Sequence, residues 1–464
     1  MSTAIKWFPT FVGTLGLFVL VPAARAQEPA PAPPDASPPT PAEEAGAPAP
    51  APAAPRPPVA DADAAPEPGP EMTFGRHSSR AQAAPSPDQV PVEAPGPARV
   101  AGRARTMEDV TGSASEELTV RNVRWRYSLN FFGDISLAAG KPADPDHHFG
   151  FAIGAQDLLI RGELSNNIVA ATEMAFEVGP GGVGIDIERY HLRYQTSQFF
   201  VEAGRTHTGF GYWNNAYHHG RWLQPTIARP RWVAFEDDGG ILPVHWVGAG
   251  VGARLPVGAA TLNLMATMGN GRGKIVDDVR SGGDYQAMKS FHVSAELVGI
   301  GSPELRVGVA GIYGQIPGLP NAMRTALPDN QRIAEWIGGA HVAYVNVPLL
   351  FIAESYVVAH VALGHQWTTY GGFALVGYAF GRITPYLQFE RIASKGGTDP
   401  FFSNTILVPD AESFDTAGGI LGLRIDLSDW TALKAEYRQT HSYTTPTTPS
   451  GTVYEGILNW SWGF

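Results

Sequence analysis

The chain of 464 residues contains no cysteine. That excludes disulfides, thiolate metal ligands and cysteine nucleophiles together. Charge is scarce: Asp, Glu, Lys and Arg make up 17% of the residues, against a usual quarter. A basic surplus is missing too, since the net charge is −11; this argues against a nucleic-acid partner. Beyond the N-terminus, no stretch reaches the roughly 18 apolar residues that a membrane helix needs. Glycine (53 residues), tryptophan (11), tyrosine (15) and phenylalanine (22) are abundant instead. Glycine and aromatics without long apolar runs suit a chain made of strands.

Residues 1–26 read as an export signal. Lys6 gives a positive start, Trp7 to Val21 an apolar stretch, and Ala24-Arg25-Ala26 a small-x-small cleavage site. The apolar stretch is too short for an anchor that spans a membrane. Residues 27–97 hold 21 of the 40 prolines and one aromatic, Phe74. Such a segment cannot bury enough apolar surface to offset its ordering entropy, so it reads as a disordered, partly extended arm. Its roles are a periplasmic spacer or a grip on the cell wall. Residues 102–120 are polar and turn-like, which sets the arm at 27–120 and the folded part at 121–464.

From about Arg121 the pattern changes. In Trp125 to Ala138, Tyr127, Leu129, Phe131, Ile135 and Leu137 share one parity. Arg126, Ser128, Asn130, Asp134 and Ser136 share the other, with Phe132 as the exception. A period of two is the mark of a strand with one apolar and one polar face. Sixteen such segments can be counted, the last being 452–464. Tight joints, such as Ser165-Asn166-Asn167, Thr196-Ser197, Pro256-Val257 and Val347-Pro348, alternate with long ones at 139–148, 208–243, 270–290, 316–335, 395–415 and 442–451. The joint at 361–366 is expected to be the one short member of the long set. An even number of alternating strands, with short turns on one rim and long loops on the other, predicts an all-β, antiparallel transmembrane β-barrel of about sixteen strands. A soluble sandwich gives no reason for sixteen such segments in series.

The end of the chain fits that picture. Tyr454, Leu458, Trp460, Trp462 and Phe464 fall on one face of the last segment, where aromatic girdles meet lipid. A closing strand that ends in phenylalanine resembles the insertion signal by which outer-membrane proteins engage the barrel assembly machinery. The cell outer membrane is the expected location, with its lipid around the barrel.

Sixteen strands enclose a water-filled lumen, whereas eight would be filled by side chains. The expected function is therefore passive diffusion of small, charged solutes. The alternative is a non-conducting anchor that ties the membrane to the cell wall through the arm. Joint 208–243 is the third on the long-loop rim. It carries Arg221, Arg229 and Arg231 together with Glu236, Asp237 and Asp238. Opposed across a narrow gap, these charges would form a constriction with a transverse field; the plainer reading is that they stiffen the loop. Arg161, Arg189, Arg193, Glu173, Glu177 and Glu202 have inward parity and are candidates for the pore wall. Arg205 falls on the apolar parity and is expected at a strand end, snorkelling or turned inward.

Gly204-Arg205-Thr206-His207-Thr208-Gly209-Phe210-Gly211 resembles the "GR…FG" end of the fifth strand in phosphate-selective and related Gram-negative porins. Met268-Gly269-Asn270-Gly271-Arg272-Gly273 is similar to the exit of their seventh strand. The resemblance implies a sixteen-stranded porin, homotrimeric, whose third loop folds inward. Phosphate selectivity is not implied, because those pores use dense Arg and Lys ladders. Here 25 Lys and Arg stand against 30 Asp and Glu from residue 121 onward.

A metal site from His218-His219 with Asp237 and Asp238 is not expected. Adjacent histidines on an extended segment point apart, and no helical His-x-x-x-His spacing occurs. His191 and His207 lie near serines such as Ser197, yet there is no nucleophile elbow, so no enzyme is expected. No cofactor is expected either.

Overall fold

The computed structural model describes residues 116–120, 123–139, 150–164, 167–179, 182–218, 220–236, 240–276, 289–318, 331–402, 415–443 and 450–464. The export signal, the arm up to residue 115, and Asp237 and Asp238 lie outside the described residues. Eighteen strands follow one another: β1 Glu116–Val120, β2 Val123–Ala139, β3 Gly150–Ile153, β4 Gln156–Leu164, β5 Ile168–Gly179, β6 Gly182–Gln195, β7 Phe199–His207, β8 His245–Val257 and β9 Ala260–Gly269. They continue as β10 Ser290–Val298, β11 Leu305–Ile316, β12 Ile333–Asn346, β13 Leu349–Ala362, β14 His365–Tyr378, β15 Ile383–Lys395, β16 Thr416–Ser428, β17 Thr431–Ser442 and β18 Gly451–Gly463.

From β4 to β18 each strand pairs antiparallel with the next. β18 then pairs with β2, and β2 pairs on its other edge with β3 and β4. The sheet is therefore closed. β3 and β4 are two lengths of one stave, interrupted at Gly154 and Ala155, so the barrel has sixteen staves. β1 is additional. It forms a hairpin with Val123 to Tyr127, on the edge of β2 that β18 leaves uncovered. Composition had placed these five residues in the arm. Closure removes the unpaired edges that an open sheet would present.

The two faces explain why this sequence closes. Leu129, Val183, Tyr190, Val251, Val293, Phe389, Leu421 and Leu458 point outward and are exposed. Facing water, such a surface would be an aggregation site; facing lipid, it is what a spanning barrel requires. Outward aromatics mark both rims. Trp125, Tyr194, Phe199, Tyr378, Phe380, Trp460 and Phe464 lie near the short-turn ends. Phe151, Phe291, Trp336 and Tyr454 lie near the long-loop ends. Inside, Ser128, Asn130, Asp134, Glu173, Glu202, Glu354, Lys434 and Glu436 are buried.

Three details depart from the reading by parity. The β5–β6 joint is also short, two residues between strand ends, so the long-loop rim has two short members rather than one. A β-bulge between Glu173 and Met174 shifts the register of β5 against β6. It lets Glu188 and Arg189, neighbours in sequence, both serve the interior. Phe132 faces inward, 0% exposed, with its ring stacked 6.5 Å from that of Trp222. It is an apolar residue on the polar face because a loop lies inside the barrel to meet it.

Candidate functional site

The segment from Thr208 to Val244 joins β7 to β8, whose ends are paired at His207 and His245. Phe210, Trp213, Tyr217, Trp222, Leu223, Trp232, Val233, Ile241 and Leu242 are all buried. They form one cluster with inward residues of the wall, among them Ile312, Ile337, Ile352, Tyr356, Phe373 and Leu375. The apolar core of this protein is therefore built inside the barrel, by a loop that leaves its rim.

Polar wall residues hold the loop's backbone. The N–H groups of Trp213, Gly220, Ile227 and Arg231 donate to the carboxylates of Glu354 (2.7 Å), Asp157 (2.8 Å), Glu436 (2.6 Å) and Glu390 (2.7 Å). Lys434 Nζ donates to the carbonyls of Arg221, Gln224 (2.7 Å) and Thr226 (3.1 Å). Arg424 Nη1 donates to those of Trp222 (2.8 Å) and Gln224 (3.1 Å). The attachments come from β4, β13, β15, β16 and β17, so the loop crosses the interior. An irregular backbone at membrane depth is tolerated only where protein or an aqueous cavity satisfies it.

Gly211 shows how tight the crossing is. Its φ is +67°, and an added Cβ would lie 2.1 Å from Glu354 Oε2. The single helical turn Tyr212–Ala216 follows directly. Gly204 is constrained in the same way: its φ is +132°, and a Cβ would meet the Tyr190 carbonyl at 2.1 Å. Arg205 beside it turns inward. Its Nε donates to the Glu188 carbonyl at 3.2 Å, and its Nη2 lies 3.6 Å from both Asp186 and Glu188 carboxylates.

The loop charges serve different ends. Arg221 is part-exposed, with Nη1 3.2 Å from Asp134 Oδ2. Arg229 is turned into the loop. It donates to the carbonyls of Val233 (2.6 Å) and His218 and to Asn214 Oδ1 (3.0 Å), and its guanidinium lies over the Phe235 ring. Burial draws the Arg231 guanidinium below its ordinary value, against the pull of Glu390. Glu236 is buried and accepts from the N–H groups of Val244 (2.8 Å) and His245 (3.0 Å) and from His245 Nδ1 (2.8 Å). Burial alone would raise its carboxyl; His245 and these bonds hold it below the usual value.

On the wall, Arg161 pairs with Glu163 (2.5 Å), Arg189 with Glu173 (2.6 Å) and Arg193 with Glu202 (2.5 Å). Arg126 is a second partner of Glu163, at 2.6 Å. In each pair the carboxylate lies deeper. The glutamates are 0–16% exposed and the arginines 17–42%. Guanidinium groups therefore form the accessible surface here, and the four arginines outnumber their three glutamates because Glu163 is shared. Glu177 sits near the long-loop end of β5 and is exposed.

A second brace lies at the same rim. Arg272, from the stretch after β9, is buried with Nε 2.8 Å from Glu335. His360 joins Glu335 (3.2 Å) to Asp399 (2.7 Å), and Asp399 accepts from the N–H groups of Phe401 and Phe402. Sequence reasoning also missed a histidine cluster. His207, His218 and His245 bring ring nitrogens within 4.8 Å of one another. Histidines at both ends of a paired strand stem were the available signal.

Comparison with solved structures finds the same architecture. The fold is that of an outer-membrane porin. The outer-membrane channel DcaP of Acinetobacter baumannii aligns over 73% of this chain and 97% of its own, with 13% identity and a TM-score of 0.51. An anion-selective porin from Comamonas acidovorans aligns over 73% of this chain and 100% of its own, with 11% identity and a TM-score of 0.51. At such identities the likeness concerns the porin fold alone. No family model matches the sequence. No curated protein matches it either.

Proposed function

We propose that this protein is a porin of the cell outer membrane, a water-filled channel for passive diffusion of small charged solutes. Residues 208–243 act as its constriction, and anions are favoured. The observation that carries this reading is the layered charge of the inner wall, where Arg126, Arg161, Arg189 and Arg193 stand in front of the three carboxylates they pair with. A solute passing such a wall meets the guanidinium groups first. Fixed charge and diameter at the narrowest point set selectivity.

The test is single-channel recording in a planar bilayer under a salt gradient. Stepwise conductance of nanosiemens order is expected, with a zero-current potential of anionic sign. Exchanging Arg126, Arg161 and Arg193 for glutamine should move that potential toward cation preference. Exchanging Arg221 tests the loop in the same way. A barrel that inserts and carries no current would overturn the channel and leave the anchor, with residues 27–97 on the cell wall. The homotrimer follows from the resemblance to sixteen-stranded porins; the mass of the native complex in detergent checks it. Tyr454, Leu458, Trp460, Trp462 and Phe464 serve as the insertion signal for the barrel assembly machinery.

A further inference from the structure

We propose that His207, His218 and His245, with Glu188, form a site for a divalent transition metal that ties the inward loop to its own stem.

His207 ends β7 and His245 begins β8, and the two face each other in register. His218 comes from the loop, just past the helical turn. The hydrogen bonds fix the tautomers. Asn214 Nδ2 donates to the Thr208 carbonyl at 3.1 Å, so Asn214 Oδ1 is an acceptor, which Arg229 Nη2 also uses. The His218 Nδ1 at 2.9 Å from that oxygen is therefore the protonated nitrogen. Glu236 Oε2 likewise accepts from His245 Nδ1. In the neutral rings both Nε2 atoms then carry lone pairs, and they face one another at 2.9 Å. Two lone pairs cannot bond to each other. A positive species belongs between them, either a proton or a metal ion.

Three features favour the metal ion. Glu188 Oε2 lies against His245 Nε2 and 4.0 Å from His218 Nε2, so an anionic ligand converges on the same point. Both Nδ1–H groups are held by an amide or carboxylate oxygen, which is how metal-bound imidazoles are commonly oriented and made more basic. Nitrogens that bind one tetrahedral zinc at about 2.0–2.1 Å lie roughly 3.3 Å apart, so the two Nε2 atoms, 2.9 Å apart here, must separate slightly to admit the ion. His207, whose ring stacks on His218 with centroids 3.3 Å apart, offers a nitrogen within 4.8 Å of the other two and must turn out of that stack to bind. Three histidines and one carboxylate, without thiolate, suit zinc, cobalt or nickel rather than calcium or magnesium. Arg205 Nη2, 3.6 Å from Glu188, helps to position that carboxylate.

The experiment uses tag-free, full-length protein folded in detergent and stripped with a chelator. Titration with Co2+ should give a visible absorption of tetrahedral type that saturates at one equivalent and is displaced by Zn2+. The metal-loaded form should melt several degrees higher than the stripped form, with a midpoint that depends on metal concentration. His218→Ala and His245→Ala should abolish the band. His207→Ala, at the more open side of the cluster, should weaken binding at least tenfold. His441→Ala, away from the cluster, should bind one equivalent as before. If the natural sequence, with its barrel shown intact by heat-modifiable gel mobility, gives no band, the proposal fails and the histidines share a proton. If His218→Ala binds cobalt as tightly as the natural sequence, it fails as well.

Discussion

Lys434 is 2% exposed inside the barrel, and its ammonium donates to three carbonyls of the inward loop. Lys434→Met keeps the length of the side chain and removes all three bonds. Arg424 still donates to the Gln224 carbonyl, so those of Arg221 and Thr226 lose their donor, at about 1–3 kcal/mol each. The barrel should still form, but the loop should become cleavable by trypsin at Arg221 or Arg231 (Arg229 is protected by Pro230), which limited proteolysis followed by mass spectrometry detects. Phe132→Ala should act from the other side of the same contact, costing about 3–5 kcal/mol as the ring under Trp222 is lost. Parity made Phe132 stand out in the sequence but gave no cause, because its partner comes from a distant loop. Glu188 was missed for a related reason. Parity is only a guide while the register holds, and the bulge opposite Glu173 shifts it.

At the scale of elements, the strands were legible because alternation is local and lipid enforces it along nearly the whole of each stave. The path of the loop was not. Its inward turn was expected from the resemblance, yet its anchoring depends on carboxylates from β4, β13, β15 and β17 that reach it only after closure. The roles of its charges were hidden in the same way. Arg229 and Glu236 read either as charges facing a gap or as stiffeners of the loop, and their bonds run within the loop and to the start of β8. A deletion gives the sharpest prediction here. His207 and His245 are already paired, so residues 212–242 can be replaced by a short Gly-Ser turn without reshaping the stem. Conductance should rise several-fold and become noisier, while the far-ultraviolet signal of the strands is retained. Unchanged conductance would show that the loop does not limit flow.

For the whole molecule, removing residues 27–115 should leave the conductance and melting temperature of the barrel unchanged, since the described barrel starts at β1. Trimming the other end should not be so mild. Phe464 exchanges two backbone hydrogen bonds with Phe131, at 2.7 and 3.0 Å, and their rings lie 5.6 Å apart. Deleting Phe464 should reduce the amount of barrel recovered from outer-membrane fractions severalfold, measured by quantitative blotting against the total protein made. The tryptophan-rich terminus drew notice in the sequence as a lipid-facing row. Its second role, as one side of the closing seam, shows only in the pairing of β18 with β2.

That seam orders events in the life of the chain. The partner of the first stave is the last of the described strands, so no shorter stretch of the barrel can seal the wall. Until that pairing forms, one side of β2 lacks its strand partner, a state that invites pairing with other chains. The β1 hairpin already shields five of the residues on that side, Val123 to Tyr127, that the finishing strand does not cover.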